Sequence, residues 1–137
     1  MNIVVGYADT GAGNAALEVG LAEATLRGAA LHVRHVARIG LRNEPPEAIE
    51  RMRARLAQID QQIASLGLDG GAELRLEGRE AADVLLEEVG ALGAEMLVIG
   101  ARRRSPVGKL VLGSTSQQLL LRAPCAVLAV KAPHEHS

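Results

Sequence analysis

The chain has 137 residues, enough for one domain with a sizeable core. Its apolar content is 48%, yet Phe and Trp are absent and Tyr7 is the only aromatic residue, which excludes the stacking platforms of single-strand nucleic-acid binding. A formal charge of -1 excludes a global basic field, and the single Cys125 excludes an internal disulfide or a cysteine metal cluster.

The opening residues Met1 to Gly6 begin a strand at once and lack the charged-then-apolar pattern of a secretory signal. No run of about 18 apolar residues offers a membrane span. A cytoplasmic protein with no nucleic-acid partner and no membrane partner is expected.

Ile3 to Tyr7 is an apolar run of strand type. Ala15 to Arg27 reads as a helix, with Leu17, Leu21 and Ala24 on one face. Leu31 to Ala37 is a second strand. Pro45 and Pro46 suit a helix start, and Ile49, Met52, Leu56, Ile59, Ile63 and Leu66 follow at alternating spacings of 3 and 4. That is a long helix with a narrow apolar seam, ended by Gly67, Gly70 and Gly71.

Ala72 to Leu76 alternates polar and apolar residues, as a half-exposed edge strand does. Glu80 to Leu92 is a third helix, Met96 to Ile99 a fourth strand, Ser114 to Arg122 a fourth helix and Cys125 to Val130 a fifth strand. Residues 1–131 form the expected domain and 132–137 a tail.

Alternating strands and helices imply parallel pairing with right-handed crossovers. The expected fold is α/β: a three-layer sandwich of a five-stranded parallel sheet with helices on both faces. Strands one and four are the most apolar and should be central. Ligands on such sheets sit beyond the carboxyl ends of the strands, where strand order reverses. The loops at Ala8 to Gly13 and Gly100 to Gly113 would flank that crevice.

The second of these loops carries the clearest chemical signal. It runs from Gly100 through Arg102, Arg103, Arg104 and Lys109 to a helix that opens Gly113-Ser114-Thr115-Ser116. The first amides of a helix lack internal partners, and the macrodipole adds partial positive charge there. Hydroxyls and basic side chains beside such a terminus suit an anion, most naturally phosphate. The alternative is an ordinary capped helix beside solvated arginines.

Three other patterns carry less. Gly108-Lys109 lacks the P-loop's first glycine, since Arg103 stands there, and Leu110 replaces its Ser or Thr. Gly11-Ala-Gly13-Asn-Ala-Ala16 matches a dinucleotide fingerprint; Ala37 and Arg38 occupy the place of the ribose-binding acid, where Arg38 could suit a 2′-phosphate, and a flexible loop before the first helix is the better reading. His134 and His136 lack a placed carboxylate, and His32 and His35 have opposite parity on their strand. No catalytic residue and no metal site is assigned.

From Met96 onward the chain resembles the universal stress protein family, and the resemblance extends from Ile3 to Val130. The family's nucleotide signature is Gly, two residues, Gly, nine residues, then Gly-Ser or Gly-Thr. Here Gly100 opens it, Arg104 to Leu112 are the nine residues and Gly113-Ser114 closes it. The run Leu121 to Val130 is similar to the family's last helix and strand.

The resemblance implies strand order 3-2-1-4-5, a homodimer through strand 5 (Cys125 to Val130), and a stress-response module. It implies an adenine nucleotide as ligand, ATP or AMP, with or without Mg. The implied contacts are Ala8, Asp9 and Thr10 after strand one, Val36 against the adenine, and Gly100, Arg102, Arg103, Lys109, Gly113, Ser114, Thr115 and Ser116 around the phosphates.

Two positions depart from the family pattern. Arg103 replaces the signature's second glycine, and either contacts phosphate or closes the approach. Ala8 replaces an Asp, with Asp9 one residue later. Any ATP hydrolysis should be slow, because no general base or metal-binding acid is evident beyond Asp9. The alternative is a family member that binds no nucleotide and acts through dimerisation and partner contact.

Overall fold

The computed structural model describes residues 1–40, 44–103 and 110–133, with backbone alone for Arg102, Arg103, Leu110 and Val111. The elements are β1 (Asn2–Gly6), α1 (Gly11–Arg27), β2 (Ala30–Arg38), α2 (Pro46–Ser65) and β3 (Gly70–Glu77). There follow α3 (Ala81–Leu92), β4 (Met96–Arg103), β5 (Leu110–Val111), α4 (Ser114–Arg122) and β6 (Ala126–Lys131).

Five strands form the parallel sheet in the order β3-β2-β1-β4-β6, so β6 is the fifth strand expected from the sequence. The expected 3-2-1-4-5 sandwich is the observed fold. β5 was not anticipated: it pairs antiparallel with the end of β4, through Arg102 opposite Val111 and Arg103 opposite Leu110. Part of the expected Gly100–Gly113 loop is therefore ribbon, and β4 runs to Arg103 rather than stopping at Ile99.

Side-chain alternation divides the core in two. Ile3, Val5 and Tyr7 of β1 and its end, with Met96 and Val98 of β4, pack under α1 and α2. Val4, Leu97 and Ile99 face the other way, under α3 and α4. Both central strands are thus buried on both faces, which explains their near-continuous apolar sequence.

The seam of α2 settles as expected, with Met52, Leu56, Ile59 and Ile63 buried. Burying each such side chain contributes about 1.5–3 kcal/mol, which holds α2 down over edge strand β3.

The α3 face of β2 and β3 carries a chain of ion pairs. Arg34, 6% exposed, lies 3.6 Å from Glu73 and 3.5 Å from the buried Glu88. Arg75 pairs with Glu88 and with Glu77, and Arg79 with Glu77 and Glu87. Register places Arg34 beside Glu73 and Arg38 beside Glu77 across the two strands. The buried charges are accommodated because each has an opposite neighbour.

The first helix starts earlier than its periodicity indicates. Thr10 caps α1, its hydroxyl oxygen accepting from the Gly13 amide at 3.0 Å, so Gly11 to Gly13 form the first turn rather than a loop. The turn is pressed against β1: a β-carbon on Gly13 would lie 1.8 Å from the Ala8 carbonyl oxygen. Gly100 is equally confined, since a β-carbon there would lie 2.7 Å from the Ala12 carbonyl carbon.

Candidate functional site

The crossovers from β1 and from β4 lead away in opposite directions, and the gap between them opens at the strands' carboxyl ends. A cavity of about 490 Å³ lies there. Its lining includes Gly6 and Tyr7, the turn residues Ala8 and Thr10, and Arg34 to Val36 at the end of β2. Ala12 and Gly13 of α1, Ala81 and Leu85 of α3, Ile99 and Gly100 of β4, and Gly113 to Ser116 with Leu119 also line it. Among the described residues no Asp or Glu belongs to this lining.

The entrance to α4 has the features expected of an anion site. Gly113 is the N-cap residue and, lacking a side chain, makes no side-chain cap bond to the helix. Gly113 has ordinary extended dihedrals, φ −67 and ψ 166, and a β-carbon on it would find no atom of the described residues within 4 Å. Neither backbone conformation nor protein packing therefore demands glycine at this position. Gly13 and Gly100 serve packing, whereas Gly113 leaves room in the cavity.

The structure brings Ala8, Thr10, Val36, Gly100, Gly113, Ser114, Thr115 and Ser116 to one cavity, joining the two loops singled out in the sequence. Some of these have internal duties. The Ser116 hydroxyl donates to the Gly100 carbonyl at 3.3 Å, and Thr10 caps α1.

Asp9 does not line the cavity. Its carboxylate accepts from Asn14 Nδ2 at 3.0 Å and lies 3.3 Å from Tyr7 Oη. Arg102 and Arg103 are seen as backbone in the β4–β5 ribbon. Lys109, Arg104, His134 and His136 lie outside the described residues.

Three polar residues on the lining were missed by sequence reasoning. Tyr7 is 3% exposed, and its hydroxyl donates to Asn14 Oδ1 at 2.7 Å while accepting from Arg55 Nε at 3.1 Å. Burial pushes its phenol pKa above the ordinary range, while the Arg55 hydrogen bond and charge oppose the rise.

His35 Nδ1 lies 2.9 Å from the Tyr7 carbonyl, so that nitrogen carries a proton; its Nε2 lies 3.1 Å from the Glu44 carboxylate. Arg34 donates from Nη1 to the carbonyls of Val33 and Gly71. A signal for Arg34 existed: it stands two residues before Val36 and shares its strand face.

His32 turns elsewhere, with Nε2 3.0 Å from Asn2 Oδ1, so the two histidines serve different faces. Burial, followed by the charge of Arg34, lowers the His32 pKa. Among the described residues no group of His, Cys, Asp and Glu could hold a metal ion, and no helix is long and apolar enough to cross a membrane.

An open parallel sheet with a cavity at its point of strand reversal and a helix start on its rim places the chain among the doubly wound α/β proteins. Residues 1–131 match the model of the universal stress protein family. The chain belongs to that family.

A universal stress protein of Mycolicibacterium smegmatis is 41% identical over 135 residues, covering 96% of this chain and 98% of that one. A solved universal stress protein from Archaeoglobus fulgidus is 31% identical, with a TM-score of 0.77, covering 96% of this chain and 98% of its own. A further structure from that organism, in complex with dAMP, is 25% identical with a TM-score of 0.71 over 96% of this chain and 98% of that one.

Proposed function

We propose that this chain is a stress-response module that binds an adenosine nucleotide, with AMP as the favoured form, and is not an enzyme. The observation that carries the reading is the start of α4, which opens into the cavity at a glycine with space around it among the described residues. The phosphate would accept from the amides that follow Gly113, helped by the hydroxyls of Ser114 and Thr115. The adenine would lie toward the apolar wall of Val36 and Leu85. The dAMP complex of the Archaeoglobus fulgidus protein supports an adenine nucleoside monophosphate as the ligand.

Magnesium with ATP fits less well. Protein sites for Mg²⁺ use one or two carboxylates beside the substrate phosphates. Among the described residues the cavity lining has none, and Asp9 is turned to Tyr7 and Asn14. The loop sequence Arg104 to Lys109 contains no acid either. Nucleotide released by denaturing the purified protein and identified by mass spectrometry tests the reading. AMP is expected in excess over ATP; a preparation free of nucleotide that also fails to take up added AMP would favour the non-binding alternative.

The proposed assembly is a homodimer through β6. This strand pairs with β4 on one side only, and its half-buried residues Val127, Leu128 and Val130 are all apolar. An unpartnered strand edge of this composition invites a second strand. Ala129 is exposed on β6, and a two-fold pairing of β6 would bring it near its own copy. Ala129→Glu should then give a monomer by light scattering with little change in melting temperature, because like charges across paired strands repel. A dimer of unchanged strength would place the interface elsewhere. The half-buried Cys125, whose thiol pKa is raised by burial, suits a reducing cytoplasm.

A further inference from the structure

The β1–α1 turn, Ala8 to Thr10, forms one wall of the candidate cavity, and a residue distant in sequence clamps it. Arg55 lies on α2, beside the buried seam residues Met52 and Leu56. Its Nε donates to Tyr7 Oη at 3.1 Å and its Nη2 to Asn14 Oδ1 at 3.2 Å. Its guanidinium carbon stands 5.9 Å from the Tyr7 ring centre.

Asn14 is thereby satisfied on every side. Its Oδ1 accepts from Tyr7 and Arg55, and its Nδ2 donates to Asp9 Oδ1 and the Thr10 carbonyl, each at 3.0 Å. These partners fix the amide's orientation. The side chains of residues 7, 9 and 14 and the Thr10 carbonyl are thus tied into one network, and Arg55 joins it to α2.

We propose that Arg55 is a positioning residue for the candidate nucleotide site: by bridging Tyr7 and Asn14 it holds the Ala8–Thr10 wall in the shape that receives the ligand. This role rests on the nucleotide reading of the cavity. It assigns α2 a part in binding although no residue of α2 lines the cavity. It also gives the Asp9 carboxylate a purpose, as a fixed acceptor for Asn14 rather than a ligand contact.

A planar fork that donates from two nitrogens to two acceptors cannot be reproduced by an ammonium on one stem. Arg55→Lys should keep the charge beside Tyr7 and recover part of the effect, whereas Arg55→Ala recovers none.

The test is calorimetric titration of AMP into the wild type, Arg55→Ala, Arg55→Lys, Tyr7→Phe and the Arg55→Ala/Tyr7→Phe double variant. Arg55→Ala should weaken AMP binding about tenfold, the scale of losing a charged hydrogen bond. The double variant should be little weaker than the worse single one, because both changes break one linkage.

Tyr7 is the only aromatic residue, so its ionisation can be followed by absorbance without interference. Loss of Arg55 removes a hydrogen bond and a positive charge that favour the phenolate, so its pKa should rise further in Arg55→Ala. If that variant unfolds, Arg55→Lys carries the same measurements. AMP bound equally by wild type and variants, or fully additive losses, overturns this role alone. AMP unbound by the wild type overturns the reading of the site, and this role with it.

Discussion

Gly113→Val is expected to abolish AMP binding and leave the fold intact. Among the described residues a β-carbon at this position meets no atom within 4 Å, and the backbone dihedrals are ones valine adopts freely. The cost to the protein is that of a poorer N-cap, about 1 kcal/mol, or a few degrees in melting temperature. The branched side chain would project into the space the phosphate needs beside the first amides of α4. Losing two charge-assisted amide bonds at about 1.5–3 kcal/mol each lowers affinity by a hundredfold or more. Circular dichroism with calorimetry checks both halves. Unchanged affinity in a folded variant would show that the α4 entrance is not the phosphate site.

Gly13→Ala should do the opposite, damaging the fold before any ligand is considered. Its β-carbon would lie 1.8 Å from the Ala8 carbonyl oxygen, a backbone atom that cannot move without displacing the β1–α1 turn. Overpacking of this severity costs about 3 kcal/mol or more, and for a chain of this size the melting temperature should fall by roughly 10 °C. Thermal unfolding followed by circular dichroism measures it. A fall of less than a few degrees would mean that α1 can lift from β1 without penalty. The two glycines share a residue type and a cavity, yet one is demanded by packing and the other leaves space.

The fold was largely legible because strong, regular signals carried it. Ile3 to Tyr7 and Met96 to Ile99 are apolar on every residue but Gly6, and such strands belong in the middle of a parallel sheet. The α2 seam showed its period through Met52, Leu56, Ile59 and Ile63, all of which are buried. The start of α1 was less legible, because Gly11 and Gly13 read as loop residues until the Thr10 cap and the contact with Ala8 are seen. The β4–β5 ribbon was hidden because a two-residue strand has no periodicity to detect.

Within the candidate site, what was legible was whatever lay on one local segment. Gly113 to Ser116 announced itself as a helix start. The side chains that depend on distant partners did not. Asp9 read as a ligand contact; in the structure its carboxylate accepts from Asn14, and the residue is not among those lining the cavity. Ser116 read as a donor for phosphate; in the structure its hydroxyl donates to the carbonyl of Gly100, which β4 brings near. Arg34 is anchored among Val33, Gly71, Glu73 and Glu88, and Arg55 reaches Tyr7 from a helix 48 residues further along. Pairings of that kind are set by topology, and no local pattern in the chain encodes them.

The most direct test of the nucleotide reading is calorimetric titration of AMP into nucleotide-stripped wild-type protein, with and without magnesium. The account predicts a saturable heat that is the same in both conditions and absent in folded Gly113→Val. No heat and no thermal shift at millimolar AMP in the wild type would contradict it.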